Sequence, residues 1–297
     1  MGRLVVIANQ KGGVGKTTTA INLAVALAQT SSARSEMPIL LVDLDPQGNA
    51  TSGLIPPAEL SQIKASGKTI YEAIVGRIEL PAAIRKVRDN IDLAPSGSDL
   101  VGAEVELAGI EGRERCLKRL LVPLASQYSY VLVDTPPSLG LLTLNAMVAA
   151  DSILVPMQCE YYALEGLSAL LGTITRVRKV LNPALEIDGI VLTMFDSRNR
   201  LSHEIARDVS HHFPDKLFQA VIPRNVRLSE SPSHGLSVLE YDGKSAGAEA
   251  YRALAAEVVK RAENGAQHEA EPSVEQESRS WSLRNLLRKV GGTPAPR

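Results

Sequence analysis

The sequence predicts an α/β protein: a doubly wound, mostly parallel sheet flanked by helices. Three observations carry that expectation. Short apolar runs recur along the chain, and several are continuous rather than alternating, as in strands covered on both faces. Helix-like stretches alternate with them. A glycine-rich turn joins the first such strand to the first such helix.

Taken in order, the strands are expected at Leu4–Asn9, Ile39–Leu44, Ile91–Ala94, Tyr130–Asp134, Ser152–Met157, Ile187–Met194 and Leu217–Ile222. Between them, helical periodicity predicts helices at Thr17–Gln29, Arg113–Leu121, Leu142–Ala149, Ala163–Leu181, Ser202–Phe213 and Ser245–Arg261. One large domain is therefore expected over residues 1–262. Residues 263–279 are polar and rich in Glu and read as a flexible acidic linker. In the tail, residues 280–297, Leu283, Leu286, Leu287 and Val290 form one helical stripe, with Ser282 as cap and Trp281 as staple. Arg284, Arg288 and Lys289 fall off that stripe, which makes a short amphipathic basic helix.

Composition narrows the function classes. The chain has 297 residues, 32 Lys and Arg against 33 Asp and Glu, and a net charge of −1. A globally basic nucleic-acid binder is excluded, so any such contact must come from a local patch. No apolar run approaches the roughly 20 residues that span a bilayer, and the start of the chain has no signal-peptide pattern. The two cysteines, Cys116 and Cys159, make no disulfide framework. A reduced, cytoplasmic setting follows as the expectation.

The strongest motif is Lys11-Gly12-Gly13-Val14-Gly15-Lys16-Thr17-Thr18, after an apolar strand and before an Ala-rich helix. Glycines there let backbone amides turn toward phosphate oxygens, and the helix dipole faces the same anion. Lys16 would reach the terminal phosphates, and the Thr17 hydroxyl would hold Mg²⁺. The strict phosphate-loop pattern would place Gly at position 10, where this chain has Gln10, so the loop is a variant. Tyr130–Asp134 is an apolar strand ending in a carboxylate, placed to hold Mg²⁺ through water at the sheet edge where ligands collect. Asp43 and Asp45 close the second strand and would point the same way. One would support the site and the other orient an attacking water. The following Pro46–Asn49 turn has the composition of a movable loop.

Four blocks, Asn9–Ala24, Leu41–Leu54, Val131–Gly140 and Ile222–Gly235, resemble the ParA/Soj partition ATPases. These belong to the deviant Walker A group of P-loop NTPases, which includes MinD and nitrogenase iron protein. The resemblance spans residues 1 to about 262. It implies that Lys11 is the signature lysine, reaching phosphates of ATP held by a partner subunit. It implies that Lys16 is the P-loop lysine, Thr17 the Mg²⁺ ligand and Thr18 a phosphate-contacting hydroxyl. Gly12 would stay small because the dimer partner comes close. Asp45 would be the acid needed for hydrolysis and Asp134 the Walker B carboxylate. The loop Pro223–Arg227, with Pro223 and Asn225, would contact the adenine. A homodimer forming on ATP, and slow hydrolysis stimulated by a ParB-type partner, are the implied cycle.

Residues 198–227 carry six Lys or Arg against three acids. The resemblance makes this segment a contact for non-specific double-stranded DNA, with Arg198 and Arg227 as the matching pair and Arg200 and Arg224 beside them. A nucleoid-associated location follows. No helix-turn-helix extension precedes residue 1, so sequence-specific operator binding is not expected. His203, His211 and His212 lack metal-ligand spacing and read as a solvated helix face. Met157 and Met194 read as core. Two other classes stand beside the partition reading: a MinD-like membrane-cycling regulator using the C-terminal stripe, and an iron–sulfur redox dimer using the two cysteines.

Overall fold

Continuous apolar strands form here because each is clad on both faces. The computed structural model describes residues 2–30 and 37–270, with the backbone alone at 64 and 265–270. Its strands are β1 Arg3–Ile7, β2 Ile39–Asp43, β3 Arg85–Arg88, β4 Ile91–Ala94, β5 Tyr130–Asp134, β6 Ser152–Gln158, β7 Glu186–Phe195 and β8 Leu217–Pro223. They make one sheet in the order β3-β4-β2-β5-β1-β6-β7-β8. Every pairing is parallel except β3 with β4. The order reverses at β1, which lies between β5 and β6, so the carboxyl ends of β1, β2 and β5 meet at the switch point where open sheets collect ligands.

Successive side chains of one strand enter opposite layers. Leu4, Val6, Leu40, Val42, Val131 and Val133 pack into one core with α2 (Cys116–Leu121), α3 (Leu141–Ala149), α4 (Ala163–Val180) and α5 (Arg200–His212). Val5, Ile7, Ile39, Leu41 and Leu132 pack into the other, with α1 (Lys16–Ala28), α6 (Val226–Glu230) and the first part of α7 (Ala246–Ala270). Each strand face thus removes its branched side chains from water, at about 25 cal/mol per Å².

The expected strands are all present, with ends moved by at most two residues. The structure adds β3, an antiparallel edge strand of sequence RKVR. Its charges suit a solvated edge and hid it from an apolar pattern. The helix expected over Arg113–Leu121 is a 3₁₀ turn at Arg113–Arg115 followed by α2. Short helices at Pro57–Ala65, Ile70–Ile74 and Val101–Glu106 are held by tertiary packing rather than by their length.

The chain divides into two units, Met1–Val259 and Lys260–Arg297. Helix α7 runs on to Ala270, so residues 263–270, expected as linker, are helical instead. The rest of that segment and the amphipathic tail at 280–297 lie outside the described residues. Among the described residues no helix is long and apolar enough to cross a membrane.

Helix α7 is pinned beside the phosphate loop by Tyr251, 1% exposed, whose hydroxyl lies 3.2 Å from Thr19 Oγ1. Tyr251→Phe should cost about 0.5–1.5 kcal/mol, the worth of one neutral hydrogen bond. Tyr251→Ala should cost about 3–5 kcal/mol by emptying a ring-sized volume. Urea unfolding of the ligand-free protein checks both.

Candidate functional site

The glycine-rich loop spans the gap between β1 and α1. Gly13 and Gly15 adopt φ of 74° and 84°, a left-handed geometry that side chains resist. Gly12 and Gly13 are exposed, while Val14 is buried and its carbonyl accepts a 2.8 Å hydrogen bond from Thr193 Oγ1 on β7. Lys16 opens α1 and is only 6% exposed. Its amine donates to the Lys11 carbonyl at 3.1 Å, closing the loop on itself. Burial lowers the Lys16 pKa, and Asp134 and Asp45 oppose that shift.

Two carboxylates act on this amine, Asp134 at the end of β5 and Asp45 just beyond β2, and Asp43 lies beside Asp134 in the sheet register. Asp43 and Asp134 are register partners on those adjacent parallel strands, and Asp134 also faces Ile7 of β1. Asp43 is fully satisfied: Oδ2 accepts from Thr51 N and Thr51 Oγ1, both at 2.7 Å, and Oδ1 from Asp45 N at 3.2 Å. Even so, burial lifts its pKa to about 6. Asp134 is 0% exposed and neither of its oxygens has a hydrogen-bond partner. Burial pushes its pKa well up, the Asp43 charge adds to that, and the nearby Thr17 hydroxyl pulls it down without completing a hydrogen bond. β2 ends at Asp43, so Asp45 lies beyond the strand rather than on its alternation. Its Oδ1 accepts from Gln47 N at 3.0 Å, and its carbonyl accepts from Ser96 Oγ at 2.8 Å. Asp43 is thus occupied by Thr51 and the Asp45 amide, while the Asp45 charge acts on Lys16.

A buried carboxylate with two orphaned oxygens beside a hydroxyl and a lysine suits a hard cation. Thr17, Asp134 and Asp45 are the residues that would hold Mg²⁺ there. Among the described residues no three His, Cys, Asp or Glu converge as a complete cage, so the ion would lean on phosphates and water as Mg²⁺ commonly does.

Lys11 lies on the outer side of the loop. Its backbone N–H donates to Asn9 Oδ1 at 3.0 Å, and Asn9 Nδ2 donates to Pro156 O at 2.7 Å. Its side-chain amine is ion-paired with Glu160, just after β6, both side chains being about four-tenths exposed. A cavity of about 310 Å³ opens on the other side of the loop, lined by Gly15, Thr18, Met194, Pro223, Asn225 and Tyr251. Pro223 and Asn225 thus join the phosphate loop at one site. Asn225 also caps α6 by accepting from Arg227 N at 2.8 Å. Met194, read from sequence as core, is instead part-exposed at this cavity with φ of 49°, the one non-glycine left-handed residue among the described residues.

The basic segment forms the neighbouring surface. Arg198 is chelated by Asp196, with Nε–Oδ1 at 3.0 Å and Nη2–Oδ2 at 2.9 Å, and this pairing lowers the Asp196 pKa to about 2. Arg200 pairs with Glu204 at 2.8 Å. Arg227 pairs with Glu230 at 2.8 Å and with Asp242 at 3.3 Å. Arg224 donates its backbone N–H to Phe195 O at 3.1 Å. Three of the four expected DNA contacts therefore already hold a carboxylate of their own chain.

Sequence reasoning missed Thr51, Ser96, Thr193 and Glu160. They come from four separate segments, and no local pattern marks them. Cys116 and Cys159 are both free and buried, and burial pushes the Cys159 thiol up to about 11. At neutral pH it is a protonated core group rather than a ligand thiolate.

A family model described as an AAA domain matches residues 2–187. The chain is 51% identical over 262 residues to the chromosome partitioning protein ParA of Myxococcus xanthus, covering 88% of this chain and 89% of that protein. It is 48% identical over 261 residues to the sporulation initiation inhibitor protein Soj of Bacillus subtilis, covering 87% and 99%. Among solved structures it matches a cobyrinic acid a,c-diamide synthase from Mycobacterium smegmatis with bound ADP and magnesium. That match has a TM-score of 0.75 and 36% identity, over 89% of this chain and 97% of that one.

The carboxylate pKa values predict how stability depends on pH. Asp43 rises from an ordinary 3.8 to about 6 on folding, so the folded state holds its proton more tightly than the unfolded one. Its favourable contribution is complete below 3.8 and is lost as pH climbs through about 6. Ligand-free protein should lose stability over that window. Asp134→Asn, which cannot bear the charge that burial and the Asp43 carboxylate disfavour, should flatten the loss. Thermal unfolding of both proteins across pH 4–8, without nucleotide or Mg²⁺, checks it.

Proposed function

The chain belongs to the ParA/Soj family of chromosome-partitioning ATPases, and from that premise we propose that it is an ATP-switched dimer. With ATP bound it grips DNA non-specifically along the nucleoid. It lets go when a ParB-type partner stimulates hydrolysis. The observation that carries the reading is the orphaned pair of Asp134 oxygens, buried beneath the phosphate loop beside Lys16.

ATP and Mg²⁺ are the cofactors this site is built for. The backbone amides of the left-handed Gly13 and Gly15 turn and the α1 dipole would receive the phosphates. Lys16 stays by the terminal phosphates, its position fixed by the Lys11 carbonyl. When bound, Mg²⁺ supplies positive charge against the charge that develops on the transferred phosphoryl group. Asp45, held by Gln47 N and Ser96, orients the attacking water. The adenine occupies the cavity by Pro223 and Asn225.

Lys11 links chemistry to assembly. In the single chain its amine is paired with Glu160, and an exposed pair of this kind is worth only about 0–1 kcal/mol. A triphosphate brought by a second subunit offers a much stronger anion, so Lys11 exchanges one partner for the other. Gly12 supports the same geometry. Among the described residues a Cβ there would meet only Pro137, at an ordinary 3.8 Å, so the chain leaves this face of the loop open to a partner's close approach. Loss of the γ-phosphate returns Lys11 to Glu160 and loosens the pair.

Two charge-assisted contacts per dimer, each worth about 1.5–3 kcal/mol, make Lys11→Ala weaken the ATP dimer about 100-fold or more, with nucleotide binding to the single chain retained. Sedimentation with Mg²⁺ and a nonhydrolysable ATP analogue measures it. The reading as a whole is tested by retention on random-sequence duplex DNA. Binding is expected with the ATP analogue and not with ADP, and equal retention with the two overturns it.

A further inference from the structure

Helix α5 turns one polar face outward. Arg200, His203, Glu204 and Arg207 follow the i, i+3, i+4, i+7 spacing, while Ser202, Ile205 and Val209 are buried on the opposite side. With Arg198, that polar face lines an open cavity of about 450 Å³. Its lining has three guanidiniums, one imidazole and one carboxylate. Three of the four cationic or potentially cationic groups are engaged. Arg198 is held by Asp196 and Arg200 by Glu204, while His203 Nε2 lies 2.8 Å from Ser197 O. Arg207 is exposed and has no hydrogen bond or ion pair among the described residues.

An anion entering this cavity meets guanidiniums of unequal readiness. Arg207 gives its full charge without losing a partner. Arg200 must first leave Glu204, its ion-pair partner one turn further along the helix. Arg200 and Arg207 are about 10 Å apart along the helix axis, within the reach of two long side chains closing on one group. We propose that the cavity seats a backbone phosphate of DNA, anchored by Arg207, and that Glu204 competes with that phosphate for Arg200. This rests on the DNA-binding reading above and adds to it two residues with opposite effects. Arg207 supplies affinity, while Glu204 holds affinity down, so the single chain grips weakly and only the doubled surface of a dimer holds.

The test is anisotropy of a labelled random-sequence duplex with full-length protein, Mg²⁺ and a nonhydrolysable ATP analogue, repeated over a salt series. Each phosphate contact contributes about 0.9 to the slope of log affinity against log salt. Arg207→Ala should lower that slope by about 2 for a dimer with both cavities filled. Affinity should fall about tenfold or more at low salt. Glu204→Gln should tighten binding several-fold. Circular dichroism confirms that these exposed substitutions leave the fold intact. Wild-type protein that binds DNA, with both variants matching it in affinity and slope, overturns the inference. If Arg207→Ala loses binding to phosphatidylglycerol vesicles but keeps its DNA affinity, the cavity belongs to a lipid surface and the DNA assignment fails. Wild-type protein that ignores DNA with the ATP analogue overturns the underlying reading, and this site with it.

Discussion

The structure depends on a cluster of charge kept out of water at the carboxyl edge of the sheet. Asp43, Asp45, Asp134 and Lys16 are all at most 6% exposed. Burial alone makes each charge expensive, and the fold compensates them unequally. Asp43 has three hydrogen bonds from its own loop. Asp134 has none. The cluster is therefore balanced only in part by the protein, and the remaining balance is left for a cation and its phosphates. The phosphate loop above it, strained only where glycine permits, is shaped for the same ligand.

The sheet order makes this cluster possible. β5 lies between β2 and β1, which aligns Asp134 with Asp43 on one side and with the root of the phosphate loop on the other. Thr193 on β7 fastens the loop from the opposite half of the sheet. The short loop after β4 brings Ser96 to Thr51 and Asp45, at 2.9 and 2.8 Å. The carboxyl edge is thus held by rigid strands, and the turn at Pro46–Asn49 is tied back to Asp45 by the Gln47 and Gly48 amides.

A second pattern recurs away from the buried cluster. Lys11, Arg198, Arg200 and Arg227 each hold an acid of their own chain near the surface. Exposed pairs are weak and easily exchanged. Such cations are kept in place yet remain available to a multivalent anion, whether a triphosphate or a nucleic-acid backbone. In the proposed cycle, this weakness makes both dimerisation and DNA binding reversible.

The sequence by itself determined the doubly wound sheet, the phosphate loop and the carboxylates at the ends of β2 and β5. All of these are local: apolar continuity, glycine spacing and a strand-terminal Asp are written within a few neighbouring residues. It did not disclose β3, whose charged edge lacks an apolar signature, or the short helices that only packing stabilises. It read Met194 as core, though the residue lines a cavity in a left-handed conformation that no residue pattern announces. Glu160 beside Lys11, Thr51 and Ser96 around Asp43, and the unengaged Arg207 among paired arginines belong to the tertiary structure alone. Hydrogen-bond and ion-pair partners drawn from distant segments depend on which strands lie side by side, and that is decided only when the whole sheet assembles.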